Sequence, residues 1–288
     1  MHSDTLPSPD ITSATRRILP WLVAVAFFME SLDTTILNTA VPIVAKAIGT
    51  SPLSMKAVMA SYTLSLAVFI PVSGWVADRF GTRRVFASAI GIFTLGSCLC
   101  GLMSNIHLLV ACRVLQGCGG AMMVPVGRLT LVRSFPKSQL IQAMNFVAIP
   151  SLVGPMLGPA AGGFIVAYLH WRAIFFLNVP IGLIGLVLVW MKLPDYRERT
   201  QPLDVEGLIL FGAGIALLSY VLEVFGDHSL SAPEIFGLSG GVYRLVFSYP
   251  LGTYHAEAGR WNASIAFDFA ADGTFYGRRL LAITGPQK

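Results

Sequence analysis

Seven stretches of mostly apolar residues, each close to twenty or more long, constrain this chain more than any other feature. They fall near residues 19–41, 58–76, 85–103, 108–126, 140–169, 173–191 and 207–225. A hydrocarbon core about 30 Å thick is crossed by about 20 residues of helix, because each residue advances the helix about 1.5 Å. Only 12% of the 288 residues are charged and the mean hydropathy is +0.69, where soluble domains carry about 25% charge. A soluble fold of this size lacks the interior volume to hide so much apolar surface. The expected fold class is an all-α polytopic membrane protein. The first stretch does not read as a cleaved leader: it contains Glu30 and Asp33, and further spans follow it.

The charges sit at the ends of the apolar stretches. One set of connecting segments holds Arg16, Arg17, Arg79, Arg83, Arg84, Arg128, Arg133, Lys137, Lys192, Arg197 and Arg199, and the opposite set holds Lys46, Lys56 and Arg172. The side richer in Lys and Arg remains in the cytoplasm, so the amino terminus is expected there. This placement also accounts for the net charge of +5 without nucleic acid as a partner. Cys98, Cys100, Cys112 and Cys118 all lie within apolar stretches and lack metal-ligand spacing with histidine; they read as small core residues. No nucleophile–base pair, metal cluster or phosphate loop emerges. Gly117-Cys118-Gly119-Gly120 lies inside a span without the strand or lysine that a phosphate loop needs. No enzyme, cofactor or metal site is expected.

Four segments carry chemistry in a fixed order. In the first span, Leu32-Asp33-Thr34-Thr35-Ile36-Leu37-Asn38-Thr39-Ala40-Val41-Pro42 places a carboxylate deep in the apolar stretch. On insertion scales that costs about 2.5–3.5 kcal/mol, so Asp33 is expected to face a cavity or a partner. Burial disfavours the charged form and would let Asp33 carry a proton. Glu30 lies one turn earlier, so both carboxylates are expected to share one cavity. Gly74-Trp75-Val76-Ala77-Asp78-Arg79-Phe80-Gly81-Thr82-Arg83-Arg84 joins the second and third spans. Gly74 and Gly81 permit a tight turn and close helix approach, and Asp78 can stabilise a helix amino terminus. In the fourth span, Arg113 needs buried acceptors or water, since a guanidinium does not deprotonate there. In the fifth, Gly154, Gly158 and Gly162 recur every four residues as a stripe without side chains, while Pro155 and Pro159 remove helix hydrogen bonds and bend the segment.

These segments, with Trp171-Arg172-Ala173-Ile174-Phe175-Phe176-Leu177-Asn178-Val179-Pro180-Ile181-Gly182 at the sixth span, resemble the major facilitator superfamily. Specifically, they resemble its fourteen-helix drug:proton antiporters of QacA/EmrB type, over roughly residues 15–228. The resemblance implies a six-helix amino-terminal bundle of two inverted three-helix repeats plus one linker helix. It assigns Asp33, Glu30, Arg113, Asn38 and Gln116 to a proton and substrate path. Gly74, Asp78, Arg79, Gly81 and Arg83 become a cytoplasmic gate, and Gly154, Pro155, Gly158, Pro159, Gly162 and Gly163 an antiporter motif. The implied function is proton-coupled efflux of drugs or other amphipathic small molecules across a bacterial inner membrane. The alternative is an inactive remnant or a non-catalytic membrane interaction subunit, because a facilitator binds substrate between two bundles. The expected partners are a small-molecule substrate, protons, lipid, and a second six-helix bundle or another copy of the chain.

The expected organisation is a cytoplasmic segment at 1–17, the six-helix bundle at 18–191, a cytoplasmic loop at 192–206, a seventh helix at 207–228 and a tail at 229–288. The tail departs from the family pattern. It reads as two to four short strands or irregular polypeptide, with Trp261, Ala263, Ile265, Phe267 and Phe269 alternating and Asp272-Gly273 as a hairpin turn. An extracytoplasmic appendage would explain it. The expectation is instead an interrupted gene with the tail read in a shifted frame, since the break falls where the family has its second linker helix.

Overall fold

The computed structural model describes residues 13–198, residues 205, 208, 209 and 212–215, and the backbone of 262–269 and 275–284. The chain divides into two compact units, Met1–Val246 and Phe247–Lys288.

In the first unit the helices are α1 (Ser13–Ile48), α2 (Met55–Phe80), α3 (Thr82–Leu102), α4 (Ile106–Ser134), α5 (Lys137–Tyr168), α6 (Ala173–Phe176) and α7 (Asn178–Lys192). The short α6 and α7 together make the sixth span, Ala173–Lys192, so six helices among the described residues are long and apolar enough to cross a membrane. Several run past the predicted apolar stretches because helical hydrogen bonding continues into the interfacial residues. Residues 205, 208, 209 and 212–215 are helical, and the remainder of the predicted seventh span lies outside the described residues.

α1 packs along α5, α2 along α4, and α3 lies between α4 and α7, while α7 also touches α1. Exchanging α1 with α4, α2 with α5 and α3 with α7 leaves this pattern of neighbours unchanged, as two related three-helix halves require. Lipid tails are as apolar as leucine, so helices associate here through close packing and polar bonds rather than through expulsion of water. Glycine therefore marks the tightest contacts. A Cβ at Gly96 of α3 would lie 2.8 Å from the Gln116 backbone of α4, and one at Gly119 would lie 2.5 Å from the Phe93 nitrogen of α3.

The buried apolar residues form two layers. One contains Val23, Phe27, Phe86, Phe93, Met123 and Val126. The other contains Ile36, Val44, Met55, Val58, Leu109 and Phe175. Between them, at the level of Asp33, lie the buried polar residues described below.

The second unit is an antiparallel pair, β1 (Asn262–Phe269) with β2 (Phe275–Thr284), in register from Asn262↔Thr284 to Phe269↔Phe275 with two irregularities. The predicted turn at Asp272-Gly273 lies outside the described residues.

Candidate functional site: a buried polar layer

Asp33 and Arg113 meet between the two apolar layers. Arg113 Nη1 donates to Asp33 Oδ2 at 2.6 Å, and the side chains are 2% and 0% exposed. The same nitrogen donates to Gln116 Oε1 at 2.6 Å. Gln116 Nε2 in turn donates to Asp33 Oδ1 at 3.0 Å, and Asn178 Nδ2 donates to the same oxygen at 2.9 Å. Asn178 also donates to Ser97 Oγ at 3.0 Å, and Ser97 passes its own hydrogen to the Phe175 carbonyl at 2.9 Å. The Arg113 guanidinium lies 5.4 Å from the Tyr62 ring and 5.0 Å from the Phe175 ring.

Spacing along α4 explains the local assembly. Arg113 and Gln116 are three residues apart, so both face α1. Asn178 opens α7 just after the α6 turn, where the helix starts afresh and its side chain points inward. Asp33 accepts from three donors, an arrangement suited to an ionised carboxylate. Two of the donors meet Oδ1 and one meets Oδ2.

The expectation that Glu30 and Asp33 share a cavity is corrected. Asp33 is sealed within the layer, whereas Glu30 is half-buried and lines a cavity of ≈ 630 Å³ with Leu66, Ile70, Val124, Pro125 and Arg128 among others. Tyr62 Oη donates to Glu30 Oε1 at 3.4 Å, linking the cavity wall to the buried layer. Asn38 is exposed and stands apart from the layer; five residues beyond Asp33, it is turned about 140° around the helix. Asn178, Ser97 and Tyr62 are the participants that sequence reasoning missed. Asn178 stood in a recognised segment, yet nothing in its neighbours along the chain marks it as inward-facing.

The glycine stripe of α5 packs against α1. Gly154, Gly158 and Gly162 sit opposite Ser31, Thr35 and Thr39, so the hydroxyl stripe of one helix fills the groove of the other. A Cβ at Gly158 would lie 2.8 Å from Thr35 Cβ and 3.2 Å from the Ile36 nitrogen. The three hydroxyls bond carbonyls of their own helix, which satisfies them inside the contact. Gly163 points into open space, and Pro155 and Pro159 lie on the exposed side within one continuous helix.

At the end where α2 meets α3, Gly81 turns the chain with φ +96°, a conformation that suits glycine. Residues 193–198 cross this turn as a strap. Thr82 N–H donates to the Tyr196 carbonyl at 3.0 Å, Tyr196 N–H donates to Thr82 Oγ1 at 3.0 Å, and Arg83 N–H donates to Asp195 Oδ1 at 3.2 Å. The helix amino terminus that Asp78 was expected to stabilise is thus held by Asp195. Asp78 instead accepts from Arg133 Nη2 at 2.7 Å, and the same nitrogen reaches Glu198 at 2.9 Å. Burial pushes the Tyr196 phenol above its ordinary value, so it stays neutral beside Ser134 at 3.1 Å. Arg79 lies over the Trp75 and Phe80 rings, and Arg83 over Trp190. Gly74 has open space at its Cβ position, so close helix approach does not explain it.

The Major Facilitator Superfamily family model matches residues 23–271. This chain belongs to the Major Facilitator Superfamily. It is 49% identical over 218 residues to the "Putative multidrug resistance protein MdtD" of Serratia proteamaculans, covering 76% of this chain and 46% of that protein. The protein of the same name from Salmonella typhi is 46% identical over 237 residues, covering 82% of this chain and 50% of that one. The chain thus spans about half the length of the curated relatives it matches. Among solved structures, a peptide transporter POT in complex with sulfate aligns with TM-score 0.59 at 15% identity, over 80% of this chain and 51% of that one. The human organic anion transporter MFSD10 (TETRAN) aligns with TM-score 0.54 at 16% identity, over 71% and 55%. These structural likenesses concern the fold. The chain is accordingly a multi-pass membrane protein of a transporter family, and its six-helix bundle is the facilitator amino-terminal half.

Proposed function

We propose that this facilitator bundle serves proton-coupled export of amphipathic small molecules, with Asp33 as the group that binds and releases the proton. The observation that carries the reading is the sealed polar layer, in which Asp33 holds α1, α4 and α7 together through Arg113, Gln116 and Asn178. Protonation removes the charge that Arg113 pairs with and weakens the three contacts that Asp33 accepts. One protonation state therefore favours the packing described above and the other a rearranged bundle, and a ligand that prefers one packing biases the same equilibrium. The Glu30 cavity combines a carboxyl group, the Arg128 guanidinium and apolar walls, a lining suited to molecules with a charged end and a greasy body. Relatives named for multidrug resistance support the substrate class.

Gly154, Gly158 and Gly162 provide a surface on which α5 can shift against α1, and the strap with Asp78, Arg133 and Glu198 forms a gate that holds one end shut. Eleven basic residues on the amino-terminal side against three on the other support a cytoplasmic amino terminus, in a bacterial inner membrane. Relatives about twice as long support a requirement for a second six-helix bundle, supplied by a partner or by another copy of the chain. Without it, the chain would be a non-transporting membrane subunit.

Dye efflux driven by a proton gradient, in a pump-deficient host, tests both parts. The chain is expressed alone and with a carboxy-terminal facilitator bundle. Efflux is expected in the second case and is abolished by Asp33→Asn. Undiminished efflux from Asp33→Asn removes Asp33 from proton coupling, and efflux from a strictly monomeric chain removes the need for a second bundle.

A further inference from the structure

Two cavities beside the first half of α1 share Trp21 as a wall, and together they have the chemistry to hold a phospholipid. The first, of ≈ 500 Å³, lies between the beginnings of α1 and α5, and Arg16, Arg17, Gln139 and Gln142 supply its polar lining. Among the described residues, none that lines it is a carboxylate. The second, of ≈ 260 Å³, runs between α1, α3 and α7, from Ile18 to Met29 along α1 and from Ile181 to Leu188 along α7, and it is lined by apolar side chains and glycine. Gly185 leaves the groove open: a Cβ there would meet only an Ile90 methyl at 4.0 Å.

The dimensions match one leaflet. Ile18 and Met29 are eleven positions apart, or about 16 Å along the helix, and half of a 30 Å hydrocarbon core is about 15 Å. The basic cavity thus lies at the depth of headgroups and the apolar groove at the depth of acyl chains. Trp21, 60% exposed between them, stands where amphipathic aromatic rings collect at membrane interfaces. Basic pockets between spanning helices hold anionic headgroups, since a phosphate accepts from several guanidinium hydrogens at once.

We propose that this is a binding site for an anionic glycerophospholipid, with its phosphate at Arg16 and Arg17 and one acyl chain in the groove beneath Trp21 and beside Gly185. The residues lining the two cavities are separate from those of the Asp33 layer and the Glu30 cavity. Lipid binding is measured without transport, so its outcome is independent of export activity.

The test is native mass spectrometry of the purified full chain released from micelles containing dioleoylphosphatidylglycerol or dioleoylphosphatidylcholine. The wild-type protein is expected to retain the anionic lipid preferentially. Arg16→Gln/Arg17→Gln should lose that preference by about 30-fold, from about fivefold for each basic residue near a headgroup. Arg16→Lys/Arg17→Lys should keep most of it. Gly185→Phe should lower retention of the anionic lipid with both arginines still in place. The exposed arginines leave folding unchanged, which circular dichroism of the double variant checks. Equal retention of the two lipids by the wild type, or unchanged preference in the glutamine double variant, overturns the proposal. Full competition by inorganic phosphate also overturns it, since that outcome marks a site for a soluble anion.

Discussion

Removing Asp33 should cost more than an ordinary polar contact in a membrane, and the excess should vanish when Arg113 goes with it. Both side chains are shielded from solvent, and deleting one partner of a buried ion pair costs about 3–5 kcal/mol because the other charge is left uncompensated. In Asp33→Ala, Arg113 keeps Gln116 Oε1 at 2.6 Å and the two aromatic rings at 5.0 and 5.4 Å. Such rings offset about 0.5–2 kcal/mol, which places the expected loss near 3 kcal/mol, at the lower end of that range. Arg113→Leu should cost a similar amount, since Asp33 keeps Gln116 and Asn178. The double variant leaves no buried charge, only unpaired amides costing about 1–3 kcal/mol. The coupling energy in the cycle is therefore about 3–5 kcal/mol, above the roughly 1.7 kcal/mol reached by side-chain hydrogen bonds between membrane helices. Unfolding in bicelles by titration with sodium dodecyl sulfate, followed by circular dichroism, measures all four corners. Singles that add to within about 0.5 kcal/mol would refute the view of the layer as a charge pair.

Gly158→Ala should destabilise the bundle by about 1–3 kcal/mol through overpacking against Thr35, whereas Gly163→Ala, which meets open space, should fall within about 0.5 kcal/mol of wild type; the same bicelle titration separates them. Gly81→Ala forces an unfavourable positive φ and places a Cβ 2.8 Å from Asp195 Cγ, so about 2 kcal/mol should be lost and the Arg83 and Tyr196 amides should exchange hydrogen faster. Equal protection in Gly81→Ala would show that the strap does not depend on this turn. Arg133→Gln should cost only about 1 kcal/mol, with a smaller difference from wild type at high salt, because Glu198 is 58% exposed; thermal unfolding at two salt concentrations checks it.

The six spans found among the described residues, and the two charges buried within them, Asp33 and Arg113, were legible along the chain because they depend on local quantities. Twenty apolar residues cross a bilayer whatever their neighbours are, and a carboxylate or guanidinium within such a stretch must find a partner. The i, i+4 repeat of Gly154, Gly158 and Gly162 likewise announced a contact face. What the chain alone left open was which residue each would meet. Asp33 and Arg113 are 80 positions apart and Asp33 and Asn178 are 145 apart, and no local pattern encodes such distances. The same limit assigned the α3 amino terminus to Asp78 when Asp195, brought back by the strap after α7, occupies it. Glu30 and Asp33 were joined by helix spacing, yet three residues along a helix leave a 60° difference in direction. Packing of α4 and α7 turned that angle into two environments, one a cavity and the other a sealed layer. Sequence thus determined that the charges lie within the membrane-spanning bundle; tertiary packing decided which of them pair, because pairing is a property of surfaces brought together by folding.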